Sequence, residues 1–182
     1  MSLGVIAAVI PFSLTLTQPL PGHAQTKKAF PIAIKQQSDT RIATMTLPVT
    51  PERAWAVLTN YVATGEAMPD ITKVEVLSRS GSSLRIRQTY QAPYTFGLAI
   101  SADLAVEEVP KRAIRFRMLR GDQIRSLYGH WTLTPVQEGT KLQHTITLVP
   151  ELPSILQTGF RQLTRPSLQQ SMLVLQQRML RP

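Results

Sequence analysis

The chain has 182 residues, 43% apolar and 17% charged, which is about one globular domain, and no window holds the run of about 18 apolar residues that a membrane-spanning helix needs. Lys and Arg number 20 against 11 Asp and Glu, a formal charge of +9, and every basic residue lies at or beyond Lys27. Such a balance favours anionic partners without choosing among lipid headgroups, nucleic acid and acidic protein. With no cysteine, disulfides, thiolate metal sites and cysteine nucleophiles are excluded.

Residues 3–16 are apolar or small, Gln18-Pro19-Leu20-Pro21-Gly22 breaks any helix, and Gly22-His23-Ala24 before Gln25 reads as a small-residue cleavage site. Residues 1–24 are therefore expected to be a signal peptide, with the mature protein extracytoplasmic, in a periplasm or equivalent lumen. No basic residue precedes the apolar stretch, unlike the usual signal peptide; an uncleaved N-terminal membrane anchor is the alternative, against which stand the shortness of the stretch and its interruption by Pro11. Residues 25–39 are polar and basic with Pro31 and read as a flexible lead-in to a domain over 40–182.

In residues 41–47, alternation sets Ile42, Thr44 and Thr46 opposite Arg41, Ala43, Met45 and Leu47, a first strand. The period then changes. Thr50-Pro51-Glu52-Arg53 offers an N-cap threonine and proline at the first helical position, and Ala54, Trp55, Leu58 and Tyr61 follow at helical spacing. A second short helical turn is expected over Gly65–Pro69. Strands are predicted over 73–79, 84–91, 95–108, 113–120, 125–135 and 141–149, separated by turn residues such as Ser80-Gly81-Ser82, Ala92-Pro93 and Glu138-Gly139. Over 153–181 the period returns to helical, with Leu156, Phe160, Leu163, Leu168, Met172, Leu175 and Met179 on one stripe and a kink expected near Pro166.

Alternation also sorts the sheet's faces. Leu127, Gly129, Trp131 and Leu133 share one side of a strand, and Leu142, His144, Ile146 and Leu148 share one side of the next. Phe96, Leu98, Ile100, Ala102 and Leu104, and Ile114, Phe116 and Met118, supply similar faces. Together these could line a cavity or fill a core. Small residues such as Ala102 and Gly129 leave room for a ligand.

His144 is the one imidazole on an apolar face, where it could give a ligand its polar contact or be a hydrogen-bonded core residue. His130 alternates to the other side and is expected to be exposed. With His23 in the leader and no close carboxylate spacing, a metal site is not expected, nor is a cofactor. Catalytic motifs are absent: there is no nucleophile elbow, phosphate loop or paired-carboxylate signature. An acid or base would have to come from His144, helped by Tyr90, Tyr94 or Tyr128. Arg85, Arg87, Arg115 and Arg117 alternate with apolar residues and should stand on the outer face, either as a solvated surface or as a contact with an anionic membrane. Aromatics are 6% of the chain and sit in core positions, which argues against nucleic acid.

Several runs resemble a known family. Leu47-Pro48-Val49-Thr50-Pro51-Glu52-Arg53-Ala54-Trp55-Ala56-Val57-Leu58-Thr59-Asn60-Tyr61 is similar to the segment that opens the first helix in the polyketide cyclase/dehydrase and coenzyme Q-binding branch of the START-like (Bet v 1-like, SRPBCC) superfamily. Ala54 and Asn60 depart from its commoner residues. Ile114-Arg115-Phe116-Arg117, Gly129-His130-Trp131-Thr132-Leu133-Thr134-Pro135 and Gly139-Thr140-Lys141-Leu142 resemble later motifs of that branch. The resemblance covers residues 40–180 and implies an α+β helix-grip fold, with a seven-stranded curved antiparallel sheet round a long C-terminal helix and two short helices after strand one. It also implies a cavity for a lipid, isoprenoid or quinone, for which Phe96, Leu98, Ile100, Phe116, Trp131, His144, Ile146, Phe160 and Leu163 are the candidate lining. A cyclase or dehydratase acting on a polyketide-like substrate, and a ligand-free protein docking on a membrane or complex, are the alternatives.

Overall fold

The computed structural model of the chain describes residues 30–91, 97–151 and 154–181, without the side chains of 154–161, 163 and 165. The expected signal peptide lies outside the described residues. The elements run β1 (Ala33–Gln37), β2 (Thr40–Leu47), α1 (Pro51–Thr59), α2 (Tyr61–Gly65), β3 (Ile71–Ser80), β4 (Ser83–Tyr90), β5 (Ile100–Val109), β6 (Ala113–Gly121), β7 (Ile124–Val136), β8 (Gly139–Pro150) and α3 (Ser154–Leu180). The strands form one curved antiparallel sheet in the order β1-β2-β8-β7-β6-β5-β4-β3, with α3 against its inner face. This is the expected helix-grip architecture, with eight strands among the described residues instead of the expected seven.

The extra strand is part of the predicted lead-in. Residues 33–37 pair with β2 from Ala33↔Thr44 to Gln37↔Thr40, round a turn where Ser38 takes a φ of 54°. Phe30, Ile32 and Ile34 pack on the core, and Gln176 Nε2 donates to the Phe30 carbonyl at 2.9 Å. Three apolar anchors thus hold an otherwise polar arm. At β5 the ladder begins at Ile100, later than the expected residue 95, because Gly97 turns the chain at a φ of 78°.

Thr50 caps α1, its hydroxyl accepting from the Arg53 amide at 3.2 Å, and Pro51 occupies the first turn. The helical spacing through Tyr61 is interrupted at Asn60 (φ −80°, ψ 69°), so Tyr61 starts α2 and the second helix comes earlier than the expected turn at Gly65. Arg53 has a second task. Its guanidinium donates to the carbonyls of Arg178 (3.0 Å), Met179 (3.2 Å) and Arg181, groups a helix end leaves unsatisfied. α3 itself runs on through Pro166.

Both sequence readings of the inner face, filled core and cavity, are realised at different places. Met45, Leu47, Leu133, Leu142 and Met179 are buried in the main cluster and do not border the cavity, so the sheet is filled beneath the last turns of α3. Around Leu168, Met172 and Leu175 the same helix instead roofs an open space.

Candidate functional site

That space is a cavity of about 260 Å³. Its floor is the inner face of β4 to β8 and the start of β2, its roof is α3, and α2 with the following loop closes one side. Strand register arranges the floor in rows. One row runs Ile114, Trp131, His144, and its neighbour runs Phe116, Gly129, Ile146, Arg41.

In the first row the rings of Trp131 and His144 lie parallel, 4.0 Å apart with an interplanar angle of 2°. The Phe116 ring stands 5.9 Å from His144, tilted by 45°. Phe116 can reach across because its partner is Gly129. A Cβ at that position would sit 2.7 Å from Phe116 Cζ and 2.1 Å from the Thr145 carbonyl oxygen, so the aromatic wall depends on the missing side chain.

His144 is 9% exposed, and its buried Nδ1 has no hydrogen-bond partner among the described residues. Burial, with a smaller contribution from His130, pushes its pKa down to about 3. The imidazole is therefore neutral at physiological pH. An unmet buried polar atom costs about 1–3 kcal/mol, which a ligand offering a hydrogen bond could recover.

Other polar groups sit at the margins. Tyr90 lines the cavity and donates to Gln88 Oε1 at 2.5 Å, and burial pushes its phenol up, so it stays protonated. Tyr61, on α2, donates to Glu108 Oε1 at 2.8 Å, and burial and that carboxylate raise it too. The Ser167 hydroxyl donates to Asp70 Oδ2, tying α3 to the loop after α2 at the cavity's edge.

Arg41 is the residue that sequence reasoning passed over. It is 3% exposed, lies opposite Ile146 in the register, and borders the cavity. Alternation had already set it on the face of Ala43, Met45 and Leu47, which was the available signal. Arginine is so seldom fully buried that the signal carried no weight alone.

Among the candidate lining residues, Ile100, Phe116, Trp131, His144 and Ile146 meet in the cavity wall. Leu98 does not: it is 54% exposed, on the irregular stretch after Gly97. Phe96 lies outside the described residues, as does Tyr94, and the side chains of Phe160 and Leu163 lie outside them as well. Tyr128 points away from the cavity and is 51% exposed. His130, expected to be exposed, is half-buried on the outer face beside Arg115.

The arginine set also changes. Arg87 is bound through Nε and a terminal nitrogen to Asp103 at 2.7 and 3.1 Å, and Arg120 joins the same carboxylate at 2.6 Å. Hydrogen bonds from Arg87, then Arg120, hold the Asp103 carboxyl down to about 2 against the opposing effect of burial. Arg87 is thus committed within the sheet. Arg85, Arg115 and Arg117 remain exposed.

A search of curated protein sequences returns no match. Among solved structures, a Thermus thermophilus protein, TTHA0849, superposes with a TM-score of 0.66 at 21% identity, covering 82% of this chain and 97% of its own. The Zhui aromatase/cyclase from Streptomyces gives 0.62 at 16% identity, over 77% and 90% of the two chains. A START superfamily protein from Mycobacterium smegmatis gives 0.60 at 16%, over 73% and 93%. These likenesses establish the fold. The sequence family described as polyketide cyclase/dehydrase and lipid transport matches residues 47–173, and by that match, over most of its length, the chain belongs to this family of the START-like superfamily.

Proposed function

We propose that the domain holds a compact, largely apolar molecule between sheet and α3, positioned by a hydrogen bond to His144 and by contact with the Trp131 and Phe116 rings. The observation that carries this reading is an apolar cavity of about 260 Å³ whose wall contains a buried imidazole with no hydrogen-bond partner on Nδ1 among the described residues. Since a cavity of about 150 Å³ is enough for benzene, this one suits a flat ligand of about ten heavy atoms, such as a quinone or isoprenoid head, better than two acyl chains. Burying its apolar surface, at about 25 cal/mol per Å², is the driving force.

A cyclase or dehydratase would need a base poised near neutrality. An imidazole held down to about 3 is a poor proton acceptor at pH 7, so the same site supports binding better than turnover. On the expected export of the mature chain, this binding takes place outside the cytoplasm.

The test is native mass spectrometry of the protein purified without detergent, followed by solvent extraction. A stoichiometric apolar passenger is expected, and His144→Leu should carry about tenfold less of it, the loss of about one hydrogen bond. An empty wild-type protein that also fails to take up added quinone or isoprenoid would refute the reading.

A further inference from the structure

The outer face of the sheet carries a second feature, independent of what the cavity holds. β6 and β7 pair only from Ala113↔Thr132 to Arg117↔Tyr128. Beyond that point β6 continues to Gly121 along β5, while β7 continues back to Ile124 along β8. The hairpin therefore opens towards its tip. Backbone bonds hold it open: the Asp122 amide donates to the Ser101 carbonyl at 2.8 Å, and the Glu151 amide donates to the Gln123 carbonyl at 2.9 Å.

The parting strands leave a hollow on the outside, walled by Arg115, Arg117, Arg125, Ser126, Tyr128 and His130. Arg117 and Arg125 are exposed, and among the described residues neither makes an ion pair. Arg115 faces Glu107 across the ladder, and that carboxylate accepts from Ser83 at 2.8 and 2.9 Å. The neighbouring outer row differs, since there Asp103 takes up both Arg87 and Arg120. Positive charge left uncommitted is thus gathered at the split.

Two further observations select a partner. Tyr128 exposes 51% of its surface among these cations, an apolar and basic mixture suited to a bilayer interface. Phe116 and Leu127 border both the hollow and the cavity, so one layer of side chains separates them. We infer that the split between β6 and β7 is a docking surface for an anionic phospholipid membrane, with a headgroup phosphate held by Arg115, Arg117 and Arg125 in the hollow. Charge complementarity supplies the attraction, and the exposed Tyr128 seats the patch at the headgroup level. The cavity's contents then lie directly behind the contact.

The test uses sedimentation of the protein with vesicles of phosphatidylcholine alone or mixed with phosphatidylglycerol. Binding to the mixed vesicles only, weakened by added salt, is expected. The triple variant Arg115→Gln, Arg117→Gln, Arg125→Gln should bind about 100-fold more weakly, which is about 3 kcal/mol at 1.4 kcal/mol per tenfold. A control triple, Lys35→Gln, Arg112→Gln, Lys141→Gln, removes the same charge from other exposed sites and should lose less than about threefold. Because the chain has no cysteine, Tyr128→Cys carrying a polarity-sensitive dye gives a second readout, a blue shift on the mixed vesicles that Lys35→Cys does not show. Equal losses in the two triples, no shift at position 128, absence of vesicle binding, or retention on duplex DNA in place of vesicles would each overturn the assignment.

Discussion

The two faces of β6, β7 and β8 are written in the same residues, one position apart. Inward, Phe116, Trp131 and His144 meet an apolar space in which the imidazole is uncharged and its Nδ1 has no hydrogen-bond partner among the described residues. Outward, Arg115, Arg117, Tyr128 and His130 meet solvent in a basic hollow. Two histidines on adjacent strands thus face different media. What separates them is the parity of the pleat, so the chemistry open to each is set by register before any neighbour is considered.

This contrast predicts sharply unequal tolerance. The largest effect is expected at Gly129, where alanine's Cβ would meet the Thr145 carbonyl at 2.1 Å and the Phe116 ring at 2.7 Å. A backbone oxygen cannot move aside as a side-chain end can, so Gly129→Ala should cost about 3 kcal/mol by urea unfolding. A wild-type value in that variant would mean that the close approach of β7 and β8 is not needed.

The next effect is a pH dependence. Folding holds His144 down to about 3, below the ~6.5 of an unfolded imidazole. As pH falls, the unfolded chain binds its proton first, so the stability is whole above ~6.5 and drains at about 1.4 kcal/mol per pH unit until the folded pKa is reached. Unfolding free energies at about pH 7.5 and about pH 5.5 should therefore differ by about 1 kcal/mol more in the wild type than in His144→Leu. If both proteins show the same slope, the two faces are not electrostatically distinct at this position.

The smallest effect belongs outside. Arg117→Gln and Tyr128→Ser should each leave the unfolding free energy within about 0.5 kcal/mol of wild type, since neither side chain is buried or ion-paired. A large loss in either would show that the outer face is part of the scaffold.

Much of this contrast could be read from the sequence. Alternation along 127–133 and 142–148 placed Trp131 and His144 on one side, and Thr50-Pro51 announced α1 by its capping chemistry. What escaped depended on pairing between segments far apart in sequence. Arg87 looked like one of four equivalent outer arginines until the β4–β5 register set it opposite Asp103. Arg41 shared the face of Ala43, Met45 and Leu47 by alternation, but arginine is so usually solvated that only the cavity wall reveals its place. Leu98 belonged to a correct alternating pattern, but Gly97 breaks the strand that the pattern assumed. The arm at 33–37 did carry a signal, the alternation of Phe30, Ile32 and Ile34, but Pro31 within it and the polar Lys35-Gln36-Gln37 after it made the segment read as a lead-in.

Arg53 gives the architecture a temporal order. Its guanidinium, emerging early in synthesis at the start of α1, waits for the carbonyls of Arg178, Met179 and Arg181, which are made after every strand of the sheet. Until then the concave face, with Trp131 and Phe116 uncovered, is a sticky surface without its lid. The nascent domain is therefore expected to be most prone to aggregation just before completion, when the face is formed and the helix has not yet docked.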